Sequence, residues 1–396
     1  RGLRSRTGGG PALVQQGRFV FPDDDPLPDL RRYLVTITNR GRDVAALTRL
    51  EPAVAAGVAP SIRLIHLGGP ADRVTIRRVR DWAAEIRGSV RGRAYHVELT
   101  EFDPLQPVTP PGSSLRRRRA AGRSDGAPLL VGLMGELARH GQHPVPVVRL
   151  GPMTERLRTV VVTVAHGAPN GLALAVPLGH RWTTAPEVVA DVRTAVERLR
   201  VDPGHTDVVL EAPVDQGHRP APSELATVVR RVREAGPWRN VVLLSSGVPA
   251  IVPRPDPERP LLVVPRPDWP LFGQLHLLLG DERPTFGDYG TRHPLRLTWP
   301  GTKRANVRYT CETETLVALG PTTRNGVGDG PGYTSLCRTV AGHVLFRGSD
   351  HCWGCRMIEA AAGAAGDGIV PALQSTWDTV GLVHHITELT AQLHSL

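Results

Sequence analysis

From Tyr33 to Tyr289 the chain alternates short β-branched runs with stretches whose apolar residues fall at helical spacing, and this rhythm constrains its fold more than any other feature. Eight runs read as strands: Tyr33–Thr38, Ser61–Leu67, Ala94–Leu99, Val145–Leu150, Gly171–Val176, Asp207–Glu211, Asn240–Ser245 and Phe286–Tyr289. Helical stripes separate them, as with Val188, Val192, Val196 and Leu199. Strands that are apolar on both faces are buried on both faces, and parallel neighbours need crossover helices between them. The expected architecture is therefore an α/β fold, a (β/α)8 TIM-like barrel, with an open doubly wound sheet as the rival.

The rhythm stops after T-F-G-D-Y-G at 285–290. Val307 to Leu319 alternates as one antiparallel strand would, helices are expected near Tyr333–Ala341 and Met357–Ala365, and Trp377–Leu396 reads as an amphipathic helix. These segments predict an appended C-terminal α+β lobe. The domain reading is a flexible N-terminal arm over 1–30, the barrel over 31–300 and the lobe over 301–396.

At 396 residues the chain exceeds one ordinary core, and its 40% apolar and 22% charged composition is that of a globular protein. The formal charge is +10, and Lys303 is the only lysine. Such an Ala/Arg/Gly/Pro/Val-rich chain is what a GC-rich, actinobacterial-like genome encodes, so abundant arginine says little by itself. The cationic surplus still attracts polyanions such as nucleic acid or nucleotide, though a merely solvated basic surface is the more ordinary reading. No apolar run approaches the roughly 20 residues of a membrane span, and the N-terminus lacks both Met and a signal-peptide core. The expectation is a cytoplasmic protein. Four cysteines are too few for a disulfide scaffold and point to free thiols or a metal.

In a barrel the working groups sit at the C-terminal ends of the strands. Those exits supply Arg40, His66, Glu98, Arg149, Glu211 and Asp288. Glu98, Glu211 and Asp288 are candidates to hold a divalent cation, with Arg40, Arg149 and His66 binding substrate. Equally, these acids and arginines could satisfy one another at the rim. Arg116 and Arg117 begin a four-arginine run in a long loop after the third strand, placed to grip phosphate or simply solvated. His384 and His385 are neighbours on a helix and diverge by about 100°; beside Asp288, His385 would serve as a general base. Cys352 and Cys355 form a C-x-x-C, which Cys311 and Cys337 could complete as a structural zinc site; buried thiols and a redox pair are the alternatives.

The order of segments resembles the beta-protein family, named after a bacteriophage beta protein. The residues that carry the likeness are R-Y-L-V-T-I-T-N-R-G-R at 32–42, T-F-G-D-Y-G at 285–290, A-N-V-R-Y-T at 305–310, F-R-G-S-D-H-C-W-G-C-R-M-I at 346–358 and W-D-T-V-G-L-V-H-H-I-T at 377–387. The resemblance spans residues 31–396. It implies a barrel protein from phage, mobile-element or defence settings and brings no catalytic set with it. Together with the residues above, it leads to the expectation of a protein that binds or acts on a nucleic acid or nucleotide; as an enzyme it would be a phosphodiesterase or nuclease-like hydrolase. The competing expectation is a non-catalytic scaffold that docks a partner protein, encoded nearby, through the C-terminal lobe.

Overall fold

The computed structural model describes residues 14–15, 18–19, 33–65, 74–90, 92–99, 104, 128–151, 154–178, 185–212, 221–249, 261–294, 304–322, 330–364 and 370–396. After a two-stranded hairpin of Val14–Gln15 and Arg18–Phe19, seven strands precede the first departure from alternation: β1 Tyr33–Thr38, β2 Val58–Leu64, β3 His96–Leu99, β4 Val145–Arg149, β5 Leu172–Pro177, β6 Thr206–Ala212 and β7 Asn240–Ser245. The next strand, β8 Leu261–Pro265, leaves the ring, and β9 Thr285–Asp288 completes it. Each ring strand runs parallel to the next, and β9 pairs with both β7 (Phe286 with Leu243) and β1 (Gly287 with Leu34). The eight-stranded barrel is closed, as the sequence leads one to expect.

Alternation along each strand divides the side chains between two environments. Tyr33, Val35 and Ile37 on β1, Ile62 and Leu64 on β2, and Phe286 on β9 pack outward into one apolar cluster with the helices α1 Gly41–Thr48 and α3 Ile76–Val90 (α2 is Pro52–Ala56). A second outward cluster joins β5, β6 and β7 to α4 Leu129–Arg139, α5 Glu155–Gly167, α6 Ala185–Leu199, α7 Pro222–Glu234 and α8 Asp268–Leu279. The inward set is smaller: Leu34, Ala59, Val145, Ala173, Val209, Val242, Leu244 and Tyr289. Below it, at the N-terminal ends of the strands, His96 Nε2 meets Asp207 Oδ2 at 2.8 Å, and Arg239 binds the same carboxylate twice, at 2.7 and 2.6 Å. This buried group plugs the barrel floor.

The lobe's sheet is antiparallel with the order β8, β11, β10, where β10 is Arg304–Thr310 and β11 is Glu314–Thr322. Two points differ from expectation. The single strand expected over Val307–Leu319 is a hairpin, because Cys311 N–H donates to Glu314 O at 2.7 Å and turns the chain. The third strand of the sheet comes from residues 261–265, so the lobe borrows a segment from before residue 300.

Three helices cover this sheet: α9 Gly330–Ala341, α10 Trp353–Gly363 and α11 Gln374–His394. The last is buried nearly all round, as a helix between two cores must be. Its Trp377 and Val380 belong to the lobe core, while Leu382, Val383, Ile386 and Leu389 belong to the barrel core. Among the described residues no helix is long and apolar enough to cross a membrane.

Candidate functional site

The second strand ends three residues earlier than expected, at Leu64 rather than Leu67. His66 lies outside the described residues, as do Arg116 and Arg117; the inward charge on β2 is Arg63. Parity identifies it: Ala59, Ser61 and Arg63 alternate with the outward Ile62 and Leu64. The signal was present in the sequence as a lone arginine inside an apolar strand.

Arg63 lies across the barrel mouth. Its Nε donates to Glu98 Oε2 at 2.7 Å and one terminal nitrogen donates to Glu211 Oε1 at 2.5 Å. Arg149 completes a quartet, with one nitrogen 3.0 Å from Glu98 Oε1 and 2.8 Å from Glu211 Oε1 and the other on Glu211 Oε2. The guanidinium of Arg63 also sits 5.0 Å from the centre of the Tyr289 ring.

Two arginines and two glutamates thus neutralise each other. Burial alone would raise the pKa of Glu98, but the charges and hydrogen bonds of Arg63 and Arg149 hold it below the ordinary carboxylate value. Burial, and next the charge of Glu211, push Tyr289 up, so it remains a neutral phenol. The side chains of Arg63, Glu98 and Glu211 are 5 or 6% exposed, whereas that of Arg149 is 40% exposed. Arg149 is the member that meets solvent, held from below by both carboxylates.

The expected convergence of Glu98, Glu211 and Asp288 on one cation does not occur. Asp288 shares a face with Phe286, two residues before it, and so points out of the barrel toward α11. Its Oδ1 accepts from Tyr33 Oη at 2.6 Å and from Gly290 N–H at 2.9 Å, and its Oδ2 accepts from His385 Nε2 at 2.7 Å. His385 Nδ1 lies 2.8 Å from Thr310 Oγ1. All of these groups are buried. His385 is beside Asp288 as the general-base expectation required, but the pair fastens α11 to the barrel wall and does not open into the mouth.

A second group of charges lies where α1 begins. Arg40, half-buried at the N-cap of α1, has no carboxylate within ion-pairing distance among the described residues. Burial lowers its pKa, and the neighbouring charges of Arg42 and Arg292 lower it further. Arg292 binds Asp43 at 2.8 Å and reaches Asp378 at 3.5 Å, and Arg42 binds Asp378 at 2.8 Å. Arg308 donates to the Thr291 carbonyl, and burial lowers its pKa despite the nearby Asp378. Four guanidiniums against two carboxylates leave two positive charges in excess. A small recess lined by Thr36, Asp43, Tyr289, Thr291 and Arg292 lies beside this cluster. Arg292 follows the strand in a turn, with no periodicity to announce it.

The four cysteines do not form one tetrahedron. Cys311 and Cys337 stay in the lobe core, where burial pushes each thiol up to about 12. Among the described residues the group whose ligand atoms could share a metal is Cys352, Cys355 and His384, in the lobe and not at the mouth.

Fold and site together define a closed (β/α)8 barrel whose mouth holds an Arg–Glu quartet and whose outer wall is joined to an α+β lobe by a shared helix. The chain belongs to the Beta protein family, whose profile matches residues 33–391. No curated protein matches it. Among solved structures it is similar to a proposed sugar phosphate isomerase/epimerase from Anabaena variabilis, at 10% identity over 69% of this chain and 89% of that one, with a TM-score of 0.34. It is also similar to the carboxyl transferase domain of Rhizobium etli pyruvate carboxylase, at 12% identity over 66% of this chain and 40% of that one, with a TM-score of 0.31. At such identities and scores neither likeness bears on activity here.

Proposed function

We propose that this protein binds a phosphate-bearing anion, a nucleotide or a nucleic-acid strand, on the C-terminal face of its barrel, and does so without a metal at the mouth. The reading rests on one observation: Glu98 and Glu211 are already engaged by Arg63 and Arg149, while Arg40 and the outer edge of Arg149 have no such engagement. Neutralised carboxylates are poor cation ligands, and the planar guanidinium presents paired N–H donors that match two oxygens of a phosphate. The phage and mobile-element setting that the family resemblance implies makes DNA or RNA the first ligand to try.

Fluorescence anisotropy with labelled oligonucleotides and nucleotides tests this. Affinity should fall steeply between low and moderate salt, because released counterions supply much of the binding free energy. Arg40→Gln should weaken binding by about tenfold or more, the scale of a charge-assisted hydrogen bond, while leaving the melting temperature in place, since Arg40 pairs with no carboxylate among the described residues. Binding that ignores salt, or is unchanged in Arg40→Gln, would count against it. The competing reading is a non-catalytic platform for a protein partner, and the commitment of Asp288 and His385 to packing favours it. Absence of any polyanion binding would leave that reading in place.

A further inference from the structure

The C-W-G-C turn and the first histidine of the H-H pair lie on different elements, yet the fold brings them together. Cys352 is the N-cap of α10 and Cys355 lies in its first turn. His384 comes from the middle of α11. Sγ of Cys352 and Sγ of Cys355 are 3.5 Å apart, and His384 Nδ1 is 3.8 Å from the first and 3.4 Å from the second. In a tetrahedral zinc site, with Zn–S about 2.3 Å and Zn–N about 2.0–2.1 Å, ligand atoms stand about 3.8 Å apart for two sulfurs and about 3.5 Å for sulfur and nitrogen. Each of the three distances lies within about 0.3 Å of that triangle.

The surroundings match as well. His384 Nε2 donates to the Thr310 carbonyl at 2.7 Å, which fixes the tautomer and leaves the Nδ1 lone pair facing the two sulfurs. A ligand histidine commonly has its other nitrogen held this way. The ring is clamped against Tyr309, with centroids 3.7 Å apart and planes 14° from parallel. Cys355 N–H points at Cys352 Sγ at 3.3 Å. Gly354 permits the approach: a Cβ there would lie 2.5 Å from the Val380 carbonyl and 3.2 Å from His384 N. The three ligand residues are 2%, 0% and 0% exposed.

We propose that Cys352, Cys355 and His384 bind one zinc ion, which ties the start of α10 to α11. Two thiolates and an imidazole are soft and borderline donors that suit zinc. Among the described residues no fourth His, Cys, Asp or Glu joins the group, so the remaining position falls to a water or another small ligand. The site stands apart from the barrel mouth and does not depend on how the mouth is used.

The test is made first on the unmodified full chain, purified reduced and without added chelator. Elemental analysis should find about one zinc per chain. Metal removed with a chelator after thiol modification, and replaced by cobalt after the thiols are restored, should give the thiolate-to-metal charge-transfer bands of a tetrahedral site. Cys352→Ser and His384→Asn should lose the metal, whereas Cys337→Ser should keep it, so a metal held merely by stray thiols is distinguishable. Absence of stoichiometric metal together with absence of charge-transfer bands on adding cobalt to the reduced chain would overturn the proposal. So would a disulfide between Cys352 and Cys355 in the protein as isolated under non-oxidising conditions.

Discussion

At the scale of single residues, the most consequential group is Arg63. It is buried, and it holds two buried carboxylates on opposite sides of the barrel mouth. Removing one partner of a buried ionic network costs about 3–5 kcal/mol, because the charges left behind cannot be solvated. Arg63→Leu should therefore lower the unfolding free energy by that order, read from urea denaturation, even though Arg149 still reaches both glutamates. A change within a few tenths of a kcal/mol would mean that the quartet is not formed.

Acid should act on the same network. Burial would raise the pKa of Glu98, Asp207 and Glu388, but paired arginines and histidines hold all three below the ordinary value. A carboxylate depressed in the folded state contributes stability above its unfolded pKa, and that contribution is lost as pH falls through the folded pKa. The unfolded values lie near pH 4, so the melting temperature should hold at neutral pH and drop progressively below about pH 4. In Asp207→Asn that slope should be shallower.

At the scale of elements, α11 carries the architecture. Leu382, Val383, Ile386 and Leu389 enter the barrel core, Trp377 and Val380 enter the lobe core, and the adjacent histidines part company around Thr310. His384 takes the carbonyl of that residue and His385 its hydroxyl. The close approach of α11 to β10 needs Gly381, where a Cβ would stand 2.9 Å from the Arg308 carbonyl. Gly381→Ala should cost about 1–3 kcal/mol through this overlap, despite alanine's better helix propensity. Differential scanning calorimetry that shows a stabilised variant would contradict the packing described.

How far the elements were legible follows from their chemistry. The eight ring strands were readable because each is a continuous apolar run between helical stripes, and β7 was read to the residue. The start of β2 is not legible, since Val58 and Pro60 resemble the end of the preceding apolar stretch, and the three-residue shift places Arg63 at the exit of the strand. Asp288 stands at a strand exit, yet parity counted from the outward Phe286 puts it on the outer face and not at the mouth. The hairpin of β10 and β11 and the strand borrowed from residues 261–265 depend on pairing between distant segments, which local periodicity does not record. The Cys352–Cys355 pair was visible as a motif, but its third member was not, because only the tertiary fold brings His384 beside it.

At the scale of the whole molecule, barrel and lobe are joined by a helix that belongs to both cores. They should unfold as one unit, and amide protons near the middle of α11 should exchange only on global unfolding; two separate transitions would mean that the cores are independent. The mouth they frame has its carboxylates neutralised from within, and a surplus of arginine charge gathers beside it where α1 begins. Titrating a labelled single-stranded oligonucleotide across a range of salt, with and without added magnesium, probes that arrangement most directly. Binding should weaken steeply with salt and gain nothing from magnesium, with no cleavage of the strand; binding or cleavage that requires magnesium would show that Glu98 and Glu211 are free to hold a cation, contrary to this account.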